Sequence, residues 1–292
     1  MTIKHLVFSG GGPIIFQILG TIQELTEKKY IDIDKIETIY GTSAGAVTGF
    51  LMCLKYDSVT IHDYFIKRPW KEVFSIKAQN IFDAYSKRGL FDIKTFEKTI
   101  KPLLDAKDIP IDINFKDFYE LSKIELHLFS LEMNEYKIEE FSYLTHPEMP
   151  VINAIYMSCS IPLYFAPIIE NNKCYIDSGF ICNYPLENCI QSGKIHDEIF
   201  GFKNVLINHP LNIHTETTIL EFIFNFVFKM LFKYYEYPKI KNEIIYDKIN
   251  YSNIDNWKDA ILFSETREKL FKTGCESACE FLSINEIQKV LI

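Results

Sequence analysis

Long apolar runs are missing from this 292-residue chain: none approaches the ~20 uninterrupted apolar residues that cross a bilayer, so no spanning helix is expected. The first twelve residues carry one lysine and an apolar run that breaks at Ser9-Gly10, too short for a secretion signal. Cationic charge is also in deficit. With 31 Lys and Arg against 39 Asp and Glu, the net charge of −8 argues against a general nucleic-acid binder, which must neutralise phosphates. Paired cysteine spacings are absent too. The seven cysteines, Cys53, Cys159, Cys174, Cys182, Cys189, Cys275 and Cys279, are odd in number, and Cys275 and Cys279 lack the further ligands a zinc site needs. The expectation is a reduced, cytoplasmic chain without a structural metal. There is no repeat, low-complexity tract or clear linker, and a 48% hydrophobic composition suffices for one large core.

Glycine is sparse beyond residue 49. Seven of the twelve glycines stand at 10, 11, 12, 20, 41, 45 and 49, where the chain must turn sharply. Leu6-Val7-Phe8 ends in glycines and reads as a buried strand. Ile15, Ile18, Leu19, Ile22 and Leu25 then recur at helical spacing, with Gln17, Thr21, Glu24 and Lys28 on the other face. A second strand is expected over 37–40, a tight turn at 41–45, and a helix through Ala46, Val47, Phe50, Leu51 and Leu54. This β-loop-α-β-turn-α order predicts a parallel sheet covered by helices.

Residues 58–121 are less periodic and helical in flavour, with breaks at Gly89 and Pro102. Strands are expected at 124–131 and 136–141 around a hairpin turn, at 174–176 and at 205–207, with a helix over 151–159 stopped by Pro162. In the apolar stretch 218–235, Glu221, Asn225, Lys229 and Lys233 draw one polar stripe. The stretch fits a core helix with one wet edge, or a helix on a lipid surface aided by Lys229, Lys233, Lys239 and Lys241.

Gly41-Thr42-Ser43-Ala44-Gly45 is a G-x-S-x-G between an expected strand and an expected helix, the setting of a nucleophile elbow. Amides after Ser43 would face developing negative charge. Ser9-Gly10-Gly11-Gly12 gathers backbone N–H groups that suit a phosphate or an oxyanion. No Gly-Lys-Ser or Gly-Lys-Thr follows, and Ile15 replaces the third glycine of a dinucleotide fingerprint, which leaves an oxyanion hole. A serine nucleophile also needs a base. Two arrangements fit: a Ser43-Asp177-His209 triad, or Asp177 acting directly.

Through about residue 210 these features resemble the patatin-like phospholipases. That family places a glycine-rich oxyanion loop after the first strand, then G-x-S-x-G, then an Asp-Gly-Gly or Asp-Gly-Ala motif. Gly10 to Gly12, Gly41 to Gly45, and Asp177-Ser178-Gly179 hold the matching places. Ser158-Cys159-Ser160-Ile161-Pro162 with Phe165 and Pro167, and Tyr175 through Asn183-Tyr184-Pro185, resemble two further family segments. The early position of Ser43 also disfavours an ordinary α/β-hydrolase. Two departures stand out: Pro13, Ile14 and Ile15 occupy the place where the family has a basic residue and a glycine, and Ser178, a candidate partner for Asp177, replaces a glycine.

The resemblance implies an α/β fold, a three-layer α/β/α with a mostly parallel central sheet. Its catalytic core would span 1–210, with a mainly helical extension over 211–292 on the same domain. It implies a lipid acyl hydrolase working through an acyl-enzyme, with Ser43 as nucleophile, Asp177 as base, Gly10, Gly11, Gly12 and Ala44 at the oxyanion hole, and Gly41 and Gly45 shaping the elbow. His209 then becomes an ordinary strand-end histidine. No metal or cofactor is called for. The expected partners are a phospholipid or other acyl lipid and a peripheral membrane contact. The rival readings are a Ser-Asp-His carboxylesterase or acyltransferase, and a catalytically weak lipid-binding protein.

Overall fold

A computed structural model describes residues 2–205, 213–231, 236–247 and 254–290. The chain opens with β1 (His5–Phe8), α1 (Ile14–Glu27), β2 (Thr38–Thr42) and α2 (Ala44–Cys53). A helical stretch follows: α3 (Ser58–His62), α4 (Trp70–Val73) and α5 (Ala78–Lys87), then the short β3 (Gly89–Phe91), α6 (Ile93–Asp105) and α7 (Phe115–Ser122). Next come β4 (Glu125–Glu132), β5 (Lys137–Phe141), α8 (Val151–Ser158), β6 (Leu163–Phe165), β7 (Ile168–Glu170), β8 (Lys173–Asp177) and α9 (Leu186–Gln191). The last elements are β9 (Ile199–Asn204), α10 (Ile219–Leu231), β10 (Asn242–Tyr246), α11 (Ile254–Leu262) and α12 (Ser264–Val290).

The central sheet runs β10-β9-β1-β2-β4-β8-β7. From β10 to β4 every pairing is parallel; β5, β7 and β8 join antiparallel at the far side. Alternation along the strands separates two cores, as the period of two demands. Leu6, Phe8, Ile39, Phe200 and Phe202 point into the larger one, while Val7, Tyr40 and Ile199 meet Tyr184, Leu186 and Cys189 on the other face. Helices cover both sides. Of the strand expected at 205–207, residues 206 and 207 fall outside the described residues; β9 lies earlier, at Ile199–Asn204, and the Val205 N–H just past it still donates to the Tyr246 carbonyl of β10 at 3.1 Å. Gly201 hides β9 from a hydropathy reading, yet a Cβ there would lie 1.9 Å from the Tyr184 hydroxyl, so only glycine lets the smaller core close.

Beyond residue 210, β10 and α12 belong to these layers. β10 completes the parallel edge, and α12 crosses α1 at a meeting of glycines: a Cβ on Gly20 would lie 2.0 Å from the Phe271 carbonyl oxygen, and one on Gly274 1.9 Å from that of Gln17. The Thr21 hydroxyl donates to the Gly274 carbonyl at 3.0 Å across this crossing. Arg267 is buried with its guanidinium spent on carbonyls of Ile66, Arg68 and Ala260, which pins α11 and the approach to α4 against α12. All seven cysteines are free thiols. Among the described residues no helix is long and apolar enough to cross a membrane, and no cluster of three His, Cys, Asp or Glu could hold a metal.

Candidate active site

Strand register brings Ser43 and Asp177 together. Phe129 pairs with both Thr42 and Glu140, and Ser130 with both Asp177 and Glu139. Because β5 takes one edge of β4, β2 and β8 must share the other, so β2 stops at Thr42 one residue before β8 begins its pairing at Asp177. Ser43 emerges at that junction, at the carboxyl end of the parallel strands where open sheets bind ligands.

The elbow is strained. Ser43 has φ 55° and ψ −120°, a conformation that costs a β-carbon-bearing residue about 1–3 kcal/mol. Gly45 accommodates the turn, since a Cβ there would lie 2.4 Å from the Phe8 carbonyl oxygen. The Ser43 N–H donates to Ser158 Oγ at 2.9 Å, fixing the bend to α8.

Asp177 is buried and accepts a hydrogen bond from the Gly179 N–H at 2.7 Å, with the Ser43 hydroxyl near enough to favour its charged form. Burial pushes its carboxyl up to about 7, against the downward pull of those two donors. No histidine is among its partners within the described residues, and His209 lies outside them. The Ser178 hydroxyl does not bond Asp177. It donates to the Phe129 carbonyl at 2.8 Å and reaches Thr42 Oγ1 at 3.4 Å, tying the turn after Asp177 to the end of β2.

The glycine loop lies beside this pair. Gly10 is corrected as an oxyanion donor: its N–H is already spent on the Asn183 carbonyl at 3.0 Å. Gly11 (φ 145°) and Gly12 (φ 55°) both have positive φ, and their N–H groups and that of Ala44 donate to nothing among the described residues. Asn204 clamps the loop, its Nδ2 donating to the Gly10 carbonyl at 3.1 Å and its backbone N–H to Ser9 Oγ at 2.8 Å. Trp257 covers Gly12 so closely that a Cβ there would lie 2.2 Å from the indole. The sequence reading missed Asn204 and Trp257. For Asn204 the available signal was a polar residue ending an apolar strand, hidden because that strand was placed too late; for Trp257 there was none.

A cavity of about 580 Å³ opens from Ser43 and Ala44. Its walls are aromatic and aliphatic, including Phe74, Phe91, Phe96, Phe165 and Ile161, a size and lining usual for a small-molecule site. Buried Ser43 marks its inner end, and exposed Lys71, Ile76, Lys258 and Leu262 its rim. Pro13 and Ile15 line it, while Ile14 is sealed in the larger core; the apolar departure from the family's loop therefore extends the apolar wall. Cys159 also lines it, its thiol pushed well up by burial.

A sequence profile for the patatin-like phospholipases matches residues 6–190. The chain belongs to that family. Patatin-like membership makes it a lipid ester hydrolase with a lipid substrate. It is 29% identical over 218 residues to a probable lipid hydrolase of Invertebrate iridescent virus 6, covering 72% of this chain and 73% of that one. It is also 29% identical over 197 residues to the uncharacterised YqhO of Bacillus subtilis, covering 62% and 64%. The patatin-like fold is similar to VipD from Legionella pneumophila, with TM-score 0.55 and 16% identity over 97% of this chain and 67% of that one. ExoU of Pseudomonas aeruginosa, solved in complex with SpcU, gives TM-score 0.50 and 14% identity over 96% of this chain; the chain spans about half, 51%, of its length. The patatin-like match ends before β9, so Asn204 and Trp257 complete the site from outside it.

Proposed function

We propose that the protein is a phospholipase A-type serine acyl hydrolase with a Ser43-Asp177 dyad. The observation that carries this reading is a buried carboxyl, poised near 7, set by strand register beside the strained Ser43 at the inner end of an apolar cavity. Ser43 Oγ attacks the acyl carbonyl as its proton passes to Asp177. The N–H groups of Gly11, Gly12 and Ala44 receive the oxyanion. Collapse breaks the bond to the leaving alcohol, which takes the proton from Asp177 and leaves Ser43 acylated. Water then attacks, Asp177 takes its proton, and the carbon–Oγ bond breaks with that proton returning to Ser43. The apolar walls accept the acyl chain, and the exposed rim implies work at the surface of a membrane.

The test is a fluorophosphonate probe on the full chain, with the adduct mapped by mass spectrometry. A single phosphonylated peptide containing Ser43, absent from Ser43→Ala, is expected. Labelling elsewhere, or no labelling of the parent, would overturn the reading. His209→Ala is expected to keep most of the activity; its loss would favour the Ser-Asp-His arrangement.

A further inference from the structure

Both ends of α5 join segments that line the cavity, Phe74 to Ile76 before it and Phe91 after it. The helix itself buries no side chain. It is held through its polar side, where Asn80 Nδ2 donates to the Leu90 carbonyl. Ile81, Phe82 and Tyr85 form one outward face at 62%, 77% and 96% exposure, and Ile76 at the rim is 55% exposed. Leu262 and Phe263, at the end of α11, are exposed as well. Apolar side chains gathered around a cavity mouth gain nothing from water; such a patch marks a surface that meets a partner.

Charge identifies the partner. Lys71 and Lys258 stand on the rim and Lys77 at the start of α5, none with a carboxylate partner among the described residues. Of the nearby acids, Asp83 and Asp92 are held by Lys87 at 3.4 and 3.8 Å, while Glu72 follows Lys71 and the half-buried Asp259 follows Lys258 in the chain. In a chain of net charge −8, the exposed lysines at this apolar mouth are thus left without an ion-pair partner among the described residues. We propose that α5 and the cavity rim seat on an anionic phospholipid bilayer, with Ile81, Phe82 and Tyr85 among the acyl chains and Lys71, Lys77 and Lys258 toward the head-group phosphates. The proposal rests on the lipid ester hydrolase reading of the cavity, because it sets the mouth against the layer that supplies the substrate.

The experiment floats the full chain with vesicles of phosphatidylcholine, with and without phosphatidylglycerol, beside Phe82→Ser/Tyr85→Ser, while hydrolysis of vesicle phospholipid and of soluble p-nitrophenyl butyrate is followed. Each lysine contributes about fivefold to partition onto anionic lipid, so the parent is expected to bind phosphatidylglycerol vesicles at least tenfold better. The double variant should lose at least tenfold in flotation and in vesicle hydrolysis, while its butyrate hydrolysis and melting temperature match the parent. Equal binding to both vesicle types, undiminished flotation of the double variant, or self-association of the parent that the double variant abolishes would each overturn the proposal. Flotation as expected with no ester cleaved by the parent would sink the hydrolase reading and leave the docking surface standing; ester cleavage without flotation would do the reverse.

Discussion

At its inner end the cavity is fixed by strand register and backbone hydrogen bonds around Ser43, Asp177 and the glycine loop; at its outer end α5 has no buried side chain at all. The inner end tolerates strain because Ser158, Asn183 and Asn204 hold the backbone from several directions. The outer end holds its shape through few contacts, and its apolar groups face solvent. Chemistry and recognition therefore sit on parts of very different rigidity. Substitutions at the inner end should impair every ester equally, whereas those on α5 should discriminate between lipid in a vesicle and ester in solution.

The largest effect that would break this contrast belongs to Asp177→Asn. Hydrolysis of soluble and vesicle substrates is expected to fall together by at least ~10³-fold, measured as kcat/KM. The parent's kcat/KM should rise with pH through about 7, as Asp177 loses its proton. Stability should move the opposite way. The folded carboxyl holds its proton up to about 7, while the unfolded one releases it near the ordinary ~4, so this contribution is present at low pH and lost as pH rises through about 7. Asp177→Asn should thus melt several degrees above the parent at pH 8 and close to it at or below about pH 4. An unchanged difference between the two would show that the carboxyl is not held protonated by burial.

Next comes Gly11→Ala. The new Cβ would lie 2.3 Å from Asn204 Nδ2 on a backbone with φ 145°, so the loop must shift. A loss of ~10²-fold or more in kcat is expected on both substrates, the size of a lost oxyanion donor. A variant as active as the parent would remove this loop from the chemistry.

The smallest of the three belongs to Asn204→Leu, a change at a positioning residue. It deletes the bond to the Gly10 carbonyl, while Asn204 Oδ1, buried and without a partner among the described residues, is lost without cost. A roughly tenfold fall in kcat with little change in KM or melting temperature is expected. A rise in KM alone would assign Asn204 to substrate binding instead.

Much of the inner end was legible in the sequence because local rules govern it. Glycines at 10 to 12, 41 and 45 mark turns whatever surrounds them, and β1, α1, β2 and α2 follow hydrophobic period. Residues whose positions depend on distant packing were not legible. Gly201 obscured β9 because its reason, the Tyr184 hydroxyl, lies across the sheet. β10 carries only five residues with exposed Ile245 among them, and Trp257 reaches Gly12 only because Arg267 anchors α11. For 218–235 two readings stood open, and exposed Ile219, Phe222 and Phe226 contradict a core helix on that face; Lys233 lies outside the described residues. The Pro13-Ile14-Ile15 departure looked like damage to the loop and proves to be cavity wall and core.

The glycine crossing of α1 and α12 also sets a timetable. The helix that leaves the glycine loop is closed by a partner whose contacting residue follows 253 positions later, a hydrogen-bonded separation that dominates the contact order of this face. A chain still emerging from the ribosome, with Gly274 not yet exposed, has no cover for α1 and no Arg267 to seat Trp257 on Gly12. The site around Ser43 therefore closes only once residues 257–274 have been made, after most of the sheet has had time to form.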